Sequence, residues 1–287
     1  MEIIMTLNFT KMHGCGNDYI YVNAFQQPIE NPNELSEILS DRHFSVGGDG
    51  LILVCPSDVA DVKMRMFNAD GSEGKMCGNG VRCVAKFAYD HGLSKANPMS
   101  VETLSGIKTI KLTFDGNEVV GASVDMGFPI FEPAKIPVAA EGDTPVVSRE
   151  VVLGGKPQTV TCVSMGNPHC VIFVPEDFPL WDFDIKAEGS PIENDSFFPE
   201  KVNVEFVKKI SDTYFEMRVW ERGSGETFAC GTGACATVAA ACETGLCEKG
   251  TDVTVKLRGG ELKINCGEDG IIMTGEAVTA FSGTVEV

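Results

Sequence analysis

The chain has 287 residues, a length that accommodates two domains of about 140 residues, each with its own core. Its 41 acidic residues outnumber 23 basic ones and give a net charge of −18, which argues against nucleic acid or an anionic membrane as its main partner. There is no long apolar run, and the opening MEIIMTLNF is too short for a membrane span or a secretory signal, so we expect a cytoplasmic protein.

The predicted elements are short strands and two Ala-rich helices. Strand-like runs, rich in β-branched or aromatic residues, lie at 51–54, 62–67, 109–114, 160–165, 202–207, 214–220 and 253–257. Segments 81–92 and 234–245 span about three helical turns, and each stops at a glycine, as helix C-termini often do. The second segment is apolar nearly all round, which indicates a buried helix.

One segment of the chain occurs twice. Residues 64–93 (MRMFNADGSEGKMCGNGVRCVAKFAYDHGL) and 217–246 (MRVWERGSGETFACGTGACATVAAACETGL) share Met-Arg, a Glu, Cys-Gly-x-Gly and a closing Gly-Leu at identical spacing. A weaker match relates residues 16–19 to residues 166–169, where a Gly-Asn turn lies beside a strand in both halves. The repeat predicts two similar domains that each carry one equivalent cysteine, Cys77 or Cys230.

This pattern predicts an α+β fold of two pseudo-symmetric domains, each a β-barrel-like mixed sheet wrapped around a central α-helix. We expect an N-terminal domain over 1–127 and a C-terminal domain over 128–277, with the proline-rich segment 127–137 as the linker. The last strand, near 278–287, either completes the second domain or returns to the first.

The eleven cysteines are odd in number and scattered, and the chain has no Cys-x-x-Cys and only four histidines. We therefore expect reduced thiols and no metal site. Cys77 and Cys230 differ from the other nine because each stands in a glycine-rich turn at the start of a predicted helix. The unpaired N–H groups and partial positive charge of a helix N-terminus stabilise a thiolate and can also hold a substrate carboxylate.

Two such cysteines suit racemisation without a cofactor. One sulfur removes an α-proton as the thiolate, while the other, as the thiol, protonates the opposite face of the carbon. Three alternatives remain at this point: a phosphate-binding loop, a hydrolase in which His169 serves a cysteine nucleophile, and a duplicated binding module without catalysis. The first lacks the expected glycine-lysine signature, and the second leaves one Cys-Gly-x-Gly unexplained.

Four phrases in this order resemble the diaminopimelate epimerase family: MHGCGNDY (12–19), FNADGSEGKMCGNG (67–80), SMGNPHCV (164–171) and ERGSGETFACGTGAC (221–235). The resemblance covers essentially the whole chain, and proline racemase shares the two-thiol plan but not the full set of phrases. It implies conversion of LL-2,6-diaminopimelate to the meso form in lysine and peptidoglycan precursor biosynthesis, without pyridoxal phosphate or metal. It also implies a homodimer and an active site in the cleft between the domains.

The resemblance also implies roles for particular residues. Cys77 and Cys230 would be the acid/base pair, and His169 and Glu221 would tune the two thiols, although an ordinary structural hydrogen bond is an open alternative for His169. The residues implied in substrate binding are Asn17, Asn68, Gly78, Asn79, Asn167, Asn203, Glu221, Arg222, Gly231 and Thr232.

Two positions depart from the family pattern. Gly50 stands where some members have Gln, so a substrate contact is absent or is replaced by backbone. Cys15 stands where Leu is common, and we expect it to serve as apolar packing. A racemase of proline, 4-hydroxyproline or histidine is an alternative enzyme, but an acidic and a basic residue, Glu221 and Arg222, favour a substrate with a second charged head.

Overall fold

The computed structural model describes residues 6–140 and 142–287, so residues 1–5 of the predicted first domain lie outside the described residues. Within these ranges the chain forms four α-helices, α1 Pro32–Ser40, α2 Gly78–Asp90, α3 Ile185–Glu193 and α4 Gly231–Glu243. The described strands are β1 Thr6–Gly14, β2 Asn17–Asn23, β3 Gly50–Cys55, β4 Val62–Asn68, β5 Glu73–Gly74, β6 Met99–Thr103, β7 Gly106–Asp115, β8 Glu118–Asp125, β9 Arg149–Leu153, β10 Lys156–Ser164, β11 Pro168–Val174, β12 Asn203–Ser211, β13 Tyr214–Glu221, β14 Gly225–Glu226, β15 Asp252–Leu257, β16 Gly260–Gly267, β17 Gly270–Glu276 and β18 Val278–Glu286.

The chain divides into two compact units. The first contains the described residues up to Val124 together with Thr274–Val287, and the second is Asp125–Met273. The divisions therefore fall after residues 124 and 273, where the sequence predicted 127 and 277. In the segment expected to be the linker, Pro133–Lys135 forms a 3₁₀ turn, and Ile130 pairs with Ser164 of the second unit.

The first unit is a curved sheet around helix α2. Strand β1 runs antiparallel to β2, β2 parallel to β3, β3 antiparallel to β4, β4 parallel to β6, and β6 antiparallel to β7. Helix α2 contacts β1, β2, β3, β4, β6 and β7, and ten of its thirteen residues are buried. The chain's last strand, β18, pairs antiparallel with β1 from Thr6–Glu286 to His13–Val278 and so completes this unit.

The second unit repeats this plan. Strand β10 runs antiparallel to β11, β11 parallel to β12, β12 antiparallel to β13, β13 parallel to β15, and β15 antiparallel to β16. Strand β9 takes the place beside β10 that β18 takes beside β1. Helix α4 contacts β10, β11, β12 and β16, and nearly all of its residues are buried. The predicted α+β class, with a sheet around a central helix in each half, is confirmed.

Local sequence explains the ends of the two central helices. Gly92 and Gly245 follow the last turns of α2 and α4 with φ of +70° and +72°, a backbone conformation that glycine adopts at little cost. The predicted helix ends are therefore confirmed. Helices α1 and α3 were not anticipated, because each has only nine residues and α3 contains Pro191, which masks its helical pattern. No helix in the described part of the chain has the length and apolarity needed to span a membrane.

Candidate active site

Cys77 is the N-cap residue of α2. Its backbone is extended (φ −130°, ψ 122°), and its sulfur accepts the N–H of Gly80 at 3.4 Å. The half-buried sulfur therefore lies at the first turn of the helix, which begins at Gly78, and one N–H of that turn points at it. The first thiol lies at a helix N-terminus, as the sequence indicated, where the helix dipole favours negative charge.

The Cys77 thiol donates a hydrogen bond to Asn17 Oδ1 at 3.1 Å. Asn17 Nδ2 in turn donates to Asp49 Oδ2 at 2.7 Å. Asn17 begins β2 and Asp49 immediately precedes β3; these strands are parallel neighbours, with Tyr19 opposite Gly50, so their first residues meet at one edge of the sheet. The structure thus brings Asn17 to the thiol and adds Asp49, which was not among the residues predicted for the site.

Two other predicted substrate residues of the first unit are held by protein groups. Asn79 is 2% exposed, and its side-chain oxygen accepts from Arg82 Nη2 at 3.0 Å. Asn68 ends β4, and its Nδ2 donates to Ser72 Oγ at 2.9 Å in the following turn. Of the two, the more exposed Asn68 has the side chain better placed to bind a ligand.

Cys230 is the N-cap residue of α4 and has the same local geometry as Cys77. Its backbone is again extended (φ −120°, ψ 107°), and its sulfur accepts the N–H of Gly233 at 3.3 Å. The sulfur also lies 3.4 Å from Thr232 Oγ1. Burial raises the pKa of Cys230 well above its ordinary value, and the carboxylates of Glu221 and Glu205 raise it further, so this thiol needs a partner to become a base.

Glu221, the last residue of β13, lies near this thiol. Its carboxylate accepts a hydrogen bond from the Thr227 hydroxyl. Burial is the largest cause that raises the pKa of Glu221, while Thr227, His169 and the Cys230 thiol act in the opposite direction. Since the pKa of this carboxyl moves toward neutrality, its ability to take a proton from the thiol increases.

A fully buried pair lies beside the second thiol. His169 Nδ1 is 2.6 Å from Glu205 Oε1, and both side chains have no exposed surface. A Cβ at Gly233 would lie 2.8 Å from Glu205 Oε1 and 3.3 Å from Cys230 Sγ, so the carboxylate and the sulfur lie on either side of this glycine. His169 Nε2 lies 3.0 Å from Asn167 Oδ1.

The sequence reasoning missed Glu205. Its signal was an acidic residue in the strand segment VNVEFV, whose other residues are apolar except for Asn203, at a position where the 153-residue offset places Ile52 in the first half. The other offset, 150 residues, pairs His169 with Tyr19. The buried acid and imidazole therefore belong to the second unit alone, and the two thiols have different surroundings.

Asn203 and Arg222 meet where β13 ends. Asn203 Nδ2 donates to the Pro168 carbonyl at 2.9 Å. Asn203 Oδ1 accepts the backbone N–H of Arg222 at 2.9 Å. The Arg222 guanidinium donates to the Glu200 carbonyl at 3.0 Å. Asn203 thus positions the turn that carries Arg222, which is exposed and follows Glu221 in the chain.

The two departures from the family pattern have clear structural settings. A Cβ at Gly50 would lie 2.0 Å from the Phe67 carbonyl oxygen, so this backbone admits no side chain there. Cys15 is fully buried in the turn between β1 and β2, and burial raises its pKa to about 11. It is therefore protonated near neutral pH, but Arg82 and Glu276 lie close to it, so its setting is not the purely apolar one that the sequence predicted. All eleven cysteines are free thiols.

Solved structures with this fold include racemases and epimerases. A Bacillus anthracis phenazine biosynthesis protein of the PhzF family aligns with 99% of this chain and 100% of its own (TM-score 0.68, 17% identity). A probable proline racemase from Agrobacterium radiobacter aligns with 97% of this chain and 92% of its own (TM-score 0.66, 13% identity). At such identities the likeness shows the fold alone, a duplicated α+β architecture with a buried helix in each half.

Sequence comparison is more specific. The family described as Diaminopimelate epimerase matches residues 9–132 and 161–280. The Methanococcus maripaludis diaminopimelate epimerase is 51% identical, over 98% of this chain and 100% of its own length. The Desulfovibrio desulfuricans enzyme is 51% identical, over 97% and 98%. The chain belongs to the diaminopimelate epimerase family, and it is an isomerase.

Proposed function

We propose that this protein converts LL-2,6-diaminopimelate to meso-diaminopimelate with two thiols and no cofactor. The observation that carries the proposal is the duplicated N-cap: Cys77 and Cys230 each accept the N–H of a glycine three residues later, at the start of a buried helix. Family membership supplies the substrate class. The two units, each contributing one thiol, are proposed as the two domains of the enzyme.

The proposed reaction moves one proton off the α-carbon and another onto its opposite face. One sulfur, as the thiolate, takes the α-proton, and the other sulfur gives its proton to the carbanion. The N–H groups at the starts of α2 and α4, which belong to Gly78, Asn79, Gly231 and Thr232, are proposed to bind the adjacent carboxylate. They stabilise the negative charge that this carboxylate gains in the transition state.

Recognition of the distal amino acid group is proposed for residues that differ between the halves. Asn68 corresponds to Glu221 at the 153-residue offset, and Glu221 is followed by Arg222. A guanidinium can form two parallel hydrogen bonds with a carboxylate, and a carboxylate can pair with an ammonium group. We propose that Arg222 binds the distal carboxylate and that Glu221, Asn68, Asn17, Asn167 and Asn203 complete the substrate site.

The decisive experiment follows α-proton exchange in deuterated water by NMR. LL- and meso-diaminopimelate are compared with proline and histidine, using enzyme purified with chelator and without pyridoxal phosphate. We expect α-proton exchange and epimerisation with diaminopimelate, and neither with proline or histidine. Exchange of proline or histidine but not diaminopimelate would contradict the substrate, and activity only after addition of metal or pyridoxal phosphate would contradict the cofactor-free chemistry.

We also propose a cytoplasmic homodimer. Reduced thiols are required by the chemistry, and the cytoplasm maintains them. Light scattering coupled to size-exclusion chromatography measures the assembly: twice the 30.8 kDa chain mass is expected. A single-chain mass at assay concentration would contradict the dimer without affecting the chemistry of either unit.

A further inference from the structure

The Asn17 amide has only one possible orientation. Its nitrogen side faces Asp49 Oδ2 at 2.7 Å, and its other side faces Cys77 Sγ at 3.1 Å. An ionised carboxylate can only accept hydrogen bonds, so the NH₂ group must face Asp49 and the amide oxygen must face the sulfur. An amide oxygen also only accepts, so this bond exists only while Cys77 carries its proton.

Asp49 is itself held firmly. Its Oδ2 also accepts the backbone N–H of Asp18 at 3.1 Å, and its Oδ1 accepts from Arg42 Nη2 at 2.9 Å. Arg42 makes a second ion pair with Asp18 Oδ1 at 2.6 Å. The carboxylate therefore keeps its oxygen beside the Asn17 amide.

The second unit has the opposite arrangement. Asn167, the counterpart of Asn17 at the 150-residue offset, donates from Nδ2 to Thr232 Oγ1 at 3.2 Å, while its oxygen faces His169 Nε2 at 3.0 Å. Because the Thr232 oxygen already accepts a hydrogen bond, its own hydrogen can point to Cys230 Sγ, 3.4 Å away. The chain of hydrogen bonds ends in an amide oxygen, which can only accept, at Cys77, and in a hydroxyl, which is able to donate, at Cys230.

We propose that Asp49 is a positioning residue that keeps the Asn17 carbonyl on Cys77, so that the Cys77 thiol holds its proton in the free enzyme. The catalytic role of the protonated Cys77 thiol rests on the proposed function. The hydrogen-bond geometry does not depend on any substrate.

The other titratable groups near Cys77 do not obscure the titration of its thiol. Tyr21 on β2 is buried, which raises its pKa well above the ordinary value, and burial raises the pKa of Cys83 on α2 to about 11. Arg82 on α2 is a buried cation bound to the Gly78 carbonyl at 3.1 Å. Lys11 on β1 and Asp18 on β2 form an ion pair at 2.7 Å. The Tyr21 hydroxyl and the Cys83 thiol therefore keep their protons in the pH range where an ordinary thiol titrates.

The test measures how fast iodoacetamide alkylates Cys77 as a function of pH, with the modified peptide quantified by mass spectrometry. In Asp49→Ala the Asn17 amide can turn its NH₂ group toward the sulfur, which stabilises the thiolate. We expect the midpoint of the Cys77 profile to fall by about one pH unit, equivalent to about a tenfold rise in thiolate at a fixed pH below it. Asp49→Ser, whose side chain is too short to reach Asn17, is expected to do the same.

Two matched variants separate orientation from charge and from the fold. In Asp49→Asn the amide oxygen still accepts from the Asp18 N–H and from Asn17, so the wild-type midpoint is expected. Arg42→Gln removes the exposed ion pairs but leaves the Asn17–Asp49 bond, and it is expected to behave like wild type. A wild-type midpoint in both Asp49→Ala and Asp49→Ser would overturn the proposal, and so would an equal fall in Asp49→Asn, since charge alone would then explain it.

The readout is independent of the proposed substrate. A lower midpoint in Asp49→Ala supports the positioning role even if diaminopimelate is not epimerised. Conversely, the protein could epimerise diaminopimelate while the pH profile of Cys77 alkylation is unchanged in the Asp49 variants. The proposed function would then stand, and this inference would be wrong.

Discussion

Cys77 and Cys230 have nearly the same backbone and very different neighbours. Each is an extended N-cap residue whose sulfur accepts a glycine N–H. The Cys77 thiol is hydrogen-bonded to the side-chain oxygen of Asn17. Cys230, in contrast, lies near the carboxylates of Glu221 and Glu205. The chemistry of each thiol is therefore set by single residues outside the shared Cys-Gly-x-Gly motif.

Replacement of either cysteine by alanine is expected to abolish epimerisation, because neither unit alone can act on both faces of one carbon. Cys77 is half-buried and the change removes one sulfur, so the fold should survive, as circular dichroism and thermal melting would show. Cys83→Ala, in the body of α2, is the matched control and should keep activity. Near-native turnover in a folded Cys77→Ala or Cys230→Ala protein would exclude the two-thiol reaction.

Glu221→Gln should lower the pH midpoint of Cys230 alkylation. The Glu221 carboxylate raises the pKa of Cys230, so loss of its negative charge favours the thiolate. Epimerisation should nevertheless fall, because the thiol loses its proton acceptor. Glu226→Gln, in the ion pair with Arg218 at 2.8 Å, is the control for a lost charge in the same unit. An unchanged or higher Cys230 midpoint in Glu221→Gln would contradict this assignment.

At the scale of elements, α2 and α4 hold the thiols because each is enclosed by its own sheet and ends at a glycine. Their first turns are fixed by the N-cap cysteines and their last turns by Gly92 and Gly245. Burial of nearly every residue of α4 prevents the helix from rotating or sliding without loss of packing. The position of each sulfur is thus a property of the whole helix.

Gly245→Ala is expected to destabilise the protein by about 1 kcal/mol, because the residue has positive φ, which costs an alanine about 1–2 kcal/mol relative to glycine. No atom lies within 4 Å of the added Cβ, so the loss comes from the backbone alone. The Tm should fall by about 2–4 °C. Gly245→Asn should lose less stability than Gly245→Ala, because asparagine tolerates this backbone conformation. Equal losses in the two variants would show that strain is not the cause.

At the scale of the whole molecule, the first and last described strands of the chain pair in one unit. Strand β18 pairs with β1, and Phe281 packs edge-on against Phe9 with ring centroids 5.9 Å apart. The second unit, in contrast, is built from one continuous segment, Asp125–Met273. The first unit can therefore form only after the second has been synthesised.

Deletion of residues 278–287 should unfold the first unit and leave the second folded. The loss of β18 leaves β1 without its outer partner and exposes the cluster around Leu7 and Phe9, against which Val285 and Val287 pack. Hydrogen exchange should become fast in α2 and stay slow in α4. Glu286→Gln, which keeps the strand, is the control, and protection of α2 in the truncated chain would contradict the prediction.

The candidate site was only partly predictable. Cys77 and Cys230 followed from a repeated motif, because a helix start with glycines has a local signature. Asp49 and Glu205 did not, since their partners Asn17 and His169 lie 32 and 36 residues away and meet them only through parallel strand pairing. Such pairs have no spacing rule that a single sequence reveals.

By itself, the sequence determined the duplication, seven of the described strands, the two central helices with their ends, and the family resemblance. These depend on periodicity, turn residues and local motifs, which act over a few residues. Only the tertiary structure decided that β18 belongs to the first unit, that Gly50 admits no side chain, and that Cys77 contacts an amide oxygen while Cys230 contacts a hydroxyl. The physical reason is that each of these features depends on strand register and burial, which bring distant residues together.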